Sequence, residues 1–261
     1  MYNFEFVKPS SVAEAVAALK DEDAQALGGG QTLIPTMKQR LASPSKLVSL
    51  SGIAELVGVS SAGGTVTVGG ATTHAAVAAQ AGDYPALAAL ASGIGDPAVR
   101  NRGTIGGSVA NNDPAADYPA AVLASGATIV TNTREIAADD YFQGLFGTAL
   151  DEGEIITGVR FPIPQAANYQ KFEQPASRFA MVGVFVAKTA AGVRVAVTGA
   201  GNDGVFRWTE AEAALSANFS ADAVSGLSLS GDDMISDVHG SGDYRAHLVK
   251  VLTKRAVAAC S

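Results

Sequence analysis

Three glycine-rich stretches carry the residue types and spacing that could do chemistry. The first is Gly28-Gly29-Gly30-Gln31-Thr32. Consecutive glycines permit positive φ and let a ligand approach the backbone closely. Their N–H groups can converge on an anion, and a helix opening behind them adds the positive end of its dipole. Thr32 adds a hydroxyl donor. A tight turn between strand and helix needs one or two glycines, so three followed by Gln-Thr point to phosphate binding. The second stretch, Thr104-Ile105-Gly106-Gly107-Ser108, has similar ingredients. Asn111-Asn112-Asp113-Pro114 follows it, dense in side chains that bond nearby backbone. The run therefore also reads as an irregular loop held by its own polar side chains. Asp117, just beyond, is placed to accept from a ligand hydroxyl or ring N–H. Two such loops in adjacent units favour one shared diphosphate ligand. Neither has the trailing Gly-Lys-Ser/Thr of a P-loop, which disfavours nucleoside triphosphate hydrolysis.

The third stretch, Gly199-Ala200-Gly201-Asn202-Asp203-Gly204, fits the G-x-G-x-x-G dinucleotide fingerprint after an expected strand. Against it, Val205–Trp208 intervenes before the next helix can open. Asn202-Asp203-Gly204 is itself a hairpin-turn signal, and no second strand ending in an acidic residue follows. Gly93-Ile94-Gly95-Asp96-Pro97-Ala98 matches a variant of the fingerprint but follows a helix.

Around these stretches lies a chain of 261 residues, 48% of them apolar, with a net charge of −7. It can bury a core without staples and suggests one large or two modest domains. No basic stripe is present, so nucleic-acid binding is not expected. The single cysteine, Cys260, excludes an intrachain disulfide, a thiolate zinc site and an all-cysteine iron–sulfur cluster. His74, His239 and His247 lack metal-ligand spacing. The N-terminal residues carry no signal-peptide features, and no apolar run is long enough to span a bilayer. The expected location is the cytoplasm. Asn218-Phe219-Ser220 matches a glycosylation acceptor by chance.

The elements that must position these residues follow from periodicity. Ser11 and Glu14 form a capping-box pattern before an apolar helical period. A strand over Ala24–Leu27 enters the first loop, a helix from Leu33 to Leu41 leaves it, and Lys46–Leu50 is a strand. Gly64–Val68 alternates as a strand. Helices are expected from Thr72 or Thr73 to Gln80, over Tyr84–Ser92 and over Asp117–Ser125, with Asp96-Pro97 as a cap and first-turn proline. Ala127–Thr131 and Glu154–Phe161 read as strands, and Pro162–Gln165 as a linker. Beyond it, Tyr169–Glu173, Met181–Lys188 and Gly192–Thr198 are strands. Helices are expected over Thr209–Ser216, Asp222–Ser225 and Asp243–Ala259. Strands followed by helices suggest an α+β terminal domain.

The sequence resembles a family. Ala26–Pro35 looks like the "AGGQSLIP" segment of the FAD-binding middle subunits and flavin domains of molybdenum hydroxylases. Thr104–Asp117 resembles the family's second loop. Val68–His74, Glu154–Pro162, Lys171–Gln174 and Arg178–Gly183 fit in the same order, so the likeness covers nearly the whole chain. The resemblance implies an α+β fold. Two α/β subdomains, residues 1–57 and 58–164, form an FAD-binding clasp of the vanillyl-alcohol oxidase (PCMH) type, and a C-terminal α+β domain covers 165–261. It implies FAD as cofactor, with Gly28, Gly29, Gly30, Gln31, Thr32, Leu33 and Ile34 from the first loop at the cofactor. Thr104, Gly106, Gly107 and Ser108 would face the pyrophosphate from the second. Asp117 would bond the FAD chain, and His74 would lie at the cofactor. Ile94 and Ile156 would pack near the flavin, Lys171 close to its ring, and Phe179 would stack where relatives often carry Tyr. The first glycine of the early loop is commonly Ala in relatives.

What the resemblance implies for function is a relay. A molybdenum-cofactor large subunit oxidises the substrate, a [2Fe-2S] small subunit passes the electrons on, and the FAD of this chain delivers them to an external acceptor. The assembly would be a dimer of heterotrimers. The alternatives are a stand-alone FAD-dependent oxidase, a nicotinamide dehydrogenase using Gly199–Gly204, and a scaffold that has lost its cofactor. The residues contain no nucleophile–base pair of their own.

Overall fold

The computed structural model describes residues 1–260. The first fifty residues fold as β1 (Glu5–Val7), α1 (Val12–Ala18), β2 (Ala24–Leu27), α2 (Leu33–Lys38) and β3 (Lys46–Ser49). β3 lies between β1 and β2, and both pairings are parallel. β1 was not expected; it is too short to show a period and is held by its pairing with β3. α2 is shorter than the sequence suggests, ending at Lys38 before Arg40, which sits at φ +62.

The middle region contains β4 (Val59–Ala62), β5 (Thr65–Gly69), α3 (His74–Gln80), α4 (Pro85–Ser92), α5 (Pro97–Arg100), α6 (Ile105–Asn111), α7 (Tyr118–Ala124), β6 (Thr128–Thr131), β7 (Glu135–Ala137), α8 (Ala138–Tyr141) and β8 (Ile156–Pro162). Its five strands form an antiparallel sheet in the order β4-β5-β8-β6-β7. The expected caps at Thr73 and Asp96 are present, and Thr104, read in sequence as a loop hydroxyl, caps a helix as well; each accepts from the backbone of a first helical turn. One difference matters. Gly106, Gly107 and Ser108 are not an open loop but the first turn of α6, and the helix closes at Asn112, which adopts φ +41.

The last region is β9 (Ala166–Glu173), β10 (Ala180–Thr189), β11 (Gly192–Thr198), β12 (Phe206–Arg207), α9 (Thr209–Ala217) and α10 (Gly242–Ala259). Its antiparallel sheet runs β12-β11-β10-β9. Ala221–Val224 is a 3-10 turn rather than an α-helix. Gly199–Gly204 joins β11 to β12 as a hairpin, so the dinucleotide fingerprint is a turn. Gly204 adopts φ +95 there, which glycine tolerates.

β10 couples the regions. Successive side chains of a strand point to opposite faces. Phe185 and Ala187 join the core of the middle region, with Tyr84, Leu87 and Tyr118. Val182, Val184 and Val186 pack instead with Val249, Leu252 and Trp208. The C-terminal sheet is thus covered on both faces, and its edge strand β9 lies beside the middle region.

Candidate functional site

Both glycine stretches meet at one cleft of about 580 Å³. β2 delivers the first stretch and α2 leaves it. Gly30 turns the chain at φ +74. A Cβ at Gly29 would overlap the carbonyl of Arg102, and one at Gly28 would stand 2.9 Å from Thr104 Oγ1. These two glycines therefore let the first loop lie against the second. Among the described residues, the N–H groups of Gly29, Gly30, Gln31 and Thr32 take no partner within the chain. Thr32 opens α2 without a side-chain cap bond, so its hydroxyl is free as well.

The second stretch is arranged differently. Ile105 N–H donates to Thr72 O at 3.1 Å and Gly106 N–H to Gly70 O at 2.9 Å. Gly107 N–H donates to Thr104 Oγ1 at 3.1 Å. A Cβ at Gly106 would lie 2.5 Å from Gly70 O, so this glycine lets α6 close onto the turn after β5. Gly107 and Ser108 remain partly exposed along the cleft wall.

Asp117 precedes α7 and is 4% exposed. Tyr169 Oη donates to its Oδ1 at 2.7 Å, and Lys171 Nζ lies 3.0 Å from the same oxygen. Burial holds the Asp117 carboxyl above the usual carboxylate range, opposed by Lys171 and Tyr169. His74, the first residue of α3, is buried, and its backbone N–H donates to Gly103 O. Burial, aided by the Arg100 charge, pulls its imidazole down to about 4. Burial thus favours its neutral form at neutral pH. Its Nδ1 is buried without a partner, and its ring lies 5.3 Å from that of Tyr118.

Of the residues singled out in sequence, Gly28 to Leu33, His74, Ile94, Thr104, Gly106, Gly107, Ser108, Asp117, Ile156 and Phe179 line the cleft. Two stand outside its wall. Ile34 packs behind the first loop, where a Cβ at Gly30 would meet its Cγ1 at 2.8 Å. Lys171 lies behind Asp117 with its ammonium engaged by the protein. Sequence reasoning missed Gly70 and Tyr169. The Gly69-Gly70 pair after β5 was a visible signal; nothing local marks Tyr169, because its partner is 52 residues away. No residue of the Gly199–Gly204 turn lines the cleft. Among the described residues, no cluster of His, Cys, Asp or Glu could hold a metal, and no helix is long and apolar enough to cross a membrane.

The cleft's free N–H row and its Thr32 and Ser108 hydroxyls suit a diphosphate, and Ile94, Ile156 and Phe179 supply apolar and aromatic surface for a ring system. Residues 2–164 match the family described as the FAD binding domain in molybdopterin dehydrogenase. The chain belongs to this family. It is 35% identical to the nicotine 6-hydroxylase medium subunit of Paenarthrobacter nicotinovorans, over 97% of this chain and 95% of that protein. It is 34% identical to the carbon monoxide dehydrogenase medium chain of Afipia carboxidovorans, over 98% and 96%. Among solved structures, the Cu,Mo-CO dehydrogenase superposes with a TM-score of 0.88 at 33% identity, covering 98% of this chain and 97% of that one. Quinoline 2-oxidoreductase from Pseudomonas putida gives 0.88 at 29% identity, covering 99% and 97%. This FAD-binding-domain protein therefore resembles medium subunits over 97–98% of its chain, beyond the 2–164 region.

Proposed function

We propose that this chain is the FAD-carrying, electron-transferring medium subunit of a heteromeric molybdenum hydroxylase. The observation that carries the reading is the row of unpartnered N–H groups at Gly29–Thr32, facing a cleft walled on its other side by Gly107, Ser108 and Asp117. The first loop holds the diphosphate by backbone donation. Thr32 and Ser108 add hydroxyls, and Asp117 accepts from the remainder of the cofactor. Ile94, Ile156 and Phe179 exclude water around the ring. When bound, FAD supplies two-electron redox chemistry; the protein supplies orientation and electrostatics. Substrate oxidation belongs to a molybdenum-bearing large partner and delivery of electrons to a [2Fe-2S] small partner, in a dimer of heterotrimers. The names of the relatives as medium subunits support a multi-subunit assembly. The three sheets support a division at residues 1–57, 58–164 and 165–261.

Flavin content tests the reading. Gly107 is open to the cleft, and a Cβ there meets only Thr104 Oγ1, at 3.0 Å. Gly107→Asp is expected to keep the fold and lower bound FAD by about tenfold or more, by setting a carboxylate against the diphosphate. Asp203→Ala, in the β11–β12 turn, is expected to leave flavin unchanged. Unaltered flavin in Gly107→Asp would remove the assignment. Turnover of a reduced substrate by the isolated chain with dioxygen would favour the stand-alone oxidase instead.

A further inference from the structure

The turn that matches the dinucleotide fingerprint begins at Gly199, and this glycine and the threonine before it reach across to the middle region. Thr198, the last residue of β11, is fully buried. Its hydroxyl donates to Ala116 O at 2.7 Å and to Pro114 O at 3.0 Å, carbonyls 82 and 84 residues earlier in the chain. Gly199 N–H donates to the same Pro114 carbonyl at 2.7 Å. Gly199 can stand there because it adopts φ +79 and has no Cβ, which would fall 2.4 Å from Ala180 O. Its own carbonyl accepts from Arg245 of α10 at 2.8 Å. That guanidinium is 3% exposed and also binds Met181 O and Asp237. The end of β11 is therefore a fixed pair of donors.

What these donors hold is the connection between α6 and α7, residues 113–117. It is not a helix or a strand, so no ladder of its own fixes its path. Asp113 closes it into a turn: its Oδ1 accepts Ala115 N–H and its carbonyl accepts Ala116 N–H, each at 2.9 Å. Asp113, Ala116 and Asp117 from this turn line the cleft. A threonine hydroxyl has one hydrogen to donate, and that of Thr198 is already shared between two carbonyls. Its effect on a ligand must pass through the turn. We infer that Thr198 and Gly199 are positioning residues: by binding Pro114 O and Ala116 O they set Asp117 for the cofactor. The inference rests on the proposed FAD site.

The test uses the full chain and FAD, with affinity read by flavin fluorescence and stability by thermal unfolding of the FAD-free chain. Thr198→Val keeps the side-chain shape and removes the hydroxyl. It is expected to weaken FAD binding by about tenfold, and Thr198→Ser to restore affinity to within about twofold of wild type. Arg194→Met is the control, because Arg194 joins the same two regions elsewhere, through Leu123 O and Asp139. It is expected to lower the melting temperature and leave FAD affinity unchanged. A Thr198→Val chain that melts earlier but binds FAD as wild type overturns the inference, and so does a serine that fails to restore affinity. The wild-type chain offers a second measurement, which decides if Thr198→Val does not fold. Coupling between two sites is reciprocal, so saturating FAD is expected to slow amide exchange at Gly199 by about tenfold more than at Trp208, whose N–H donates to Val195 O within the same sheet. Equal slowing at the two amides overturns the inference. If the wild-type chain binds no FAD, the proposed function falls and this inference with it. FAD binding that ignores both Thr198 and Gly199 leaves the function standing and removes the inference alone.

Discussion

The first glycine loop faces the cleft with N–H groups that no carbonyl of the described chain takes. The second has given its N–H groups to Thr72, Gly70 and Thr104. The glycines differ in the same way. Gly30 supplies a positive φ, while Gly106 supplies space for the carbonyl of Gly70. Two runs that read alike are thus arranged differently: one leaves its donors free at the cleft, and the other packs a helix against a sheet and shapes the far wall. A glycine motif reports that a Cβ is unwelcome. Whether a ligand or the protein's own backbone fills the vacated space depends on which carbonyls lie nearby.

The largest effect that could break this comparison is steric. Gly29→Ala would press a methyl into the Arg102 carbonyl where the two loops abut. Because both sides are backbone, about 3 kcal/mol or more of stability is expected to be lost, read by denaturant unfolding, with FAD retention lost as well. Gly107→Ala, where only a side-chain oxygen is near, is expected to change stability by less than about 1 kcal/mol. Equal losses in the two variants would mean that the loops are not packed as described.

A smaller effect comes from His74, which the second loop helps to bury through Gly103. Its folded pKa of about 4 is depressed below the ordinary value of 6.5. A base depressed in this way binds its proton preferentially in the unfolded chain. Stability is therefore full above about pH 6.5 and falls as the pH drops towards about 4, by up to about 3 kcal/mol. His74→Asn is expected to flatten that slope in unfolding measured against pH. A slope equal to wild type would place the acid sensitivity elsewhere.

The smallest pair sharpens the contrast most directly. Thr104→Val removes the hydroxyl that caps α6 through Gly107, and is expected to cost about 1 kcal/mol of stability. Thr32→Val removes a hydroxyl that caps nothing. It is expected to leave stability within about 0.5 kcal/mol and to weaken FAD binding by about tenfold. Calorimetry and FAD titration of both variants check the crossing; the reverse assignment would exchange the roles of the two loops.

By itself the sequence determined what depends on neighbours along the chain. The caps at Ser11, Thr73 and Asp96, the strands at Ala24–Leu27 and Gly192–Thr198 and the hairpin turn at Asn202–Gly204 were legible because each is a local backbone preference. The first glycine loop was legible for the same reason, and the likeness to flavin subunits from segments that resemble that family in the same order. The tertiary structure decided what depends on distant carbonyls and charges. Glu5–Val7 became a strand only beside Lys46–Val48. Thr104–Ser108 became a helical turn with its N–H groups already engaged, because Gly70 and Thr72 arrive from another element. Lys171 was drawn away from the cleft wall because three acceptors from separate segments meet around its ammonium. An ammonium that leaves water must replace its lost hydrogen bonds. Only the folded chain can bring those partners together.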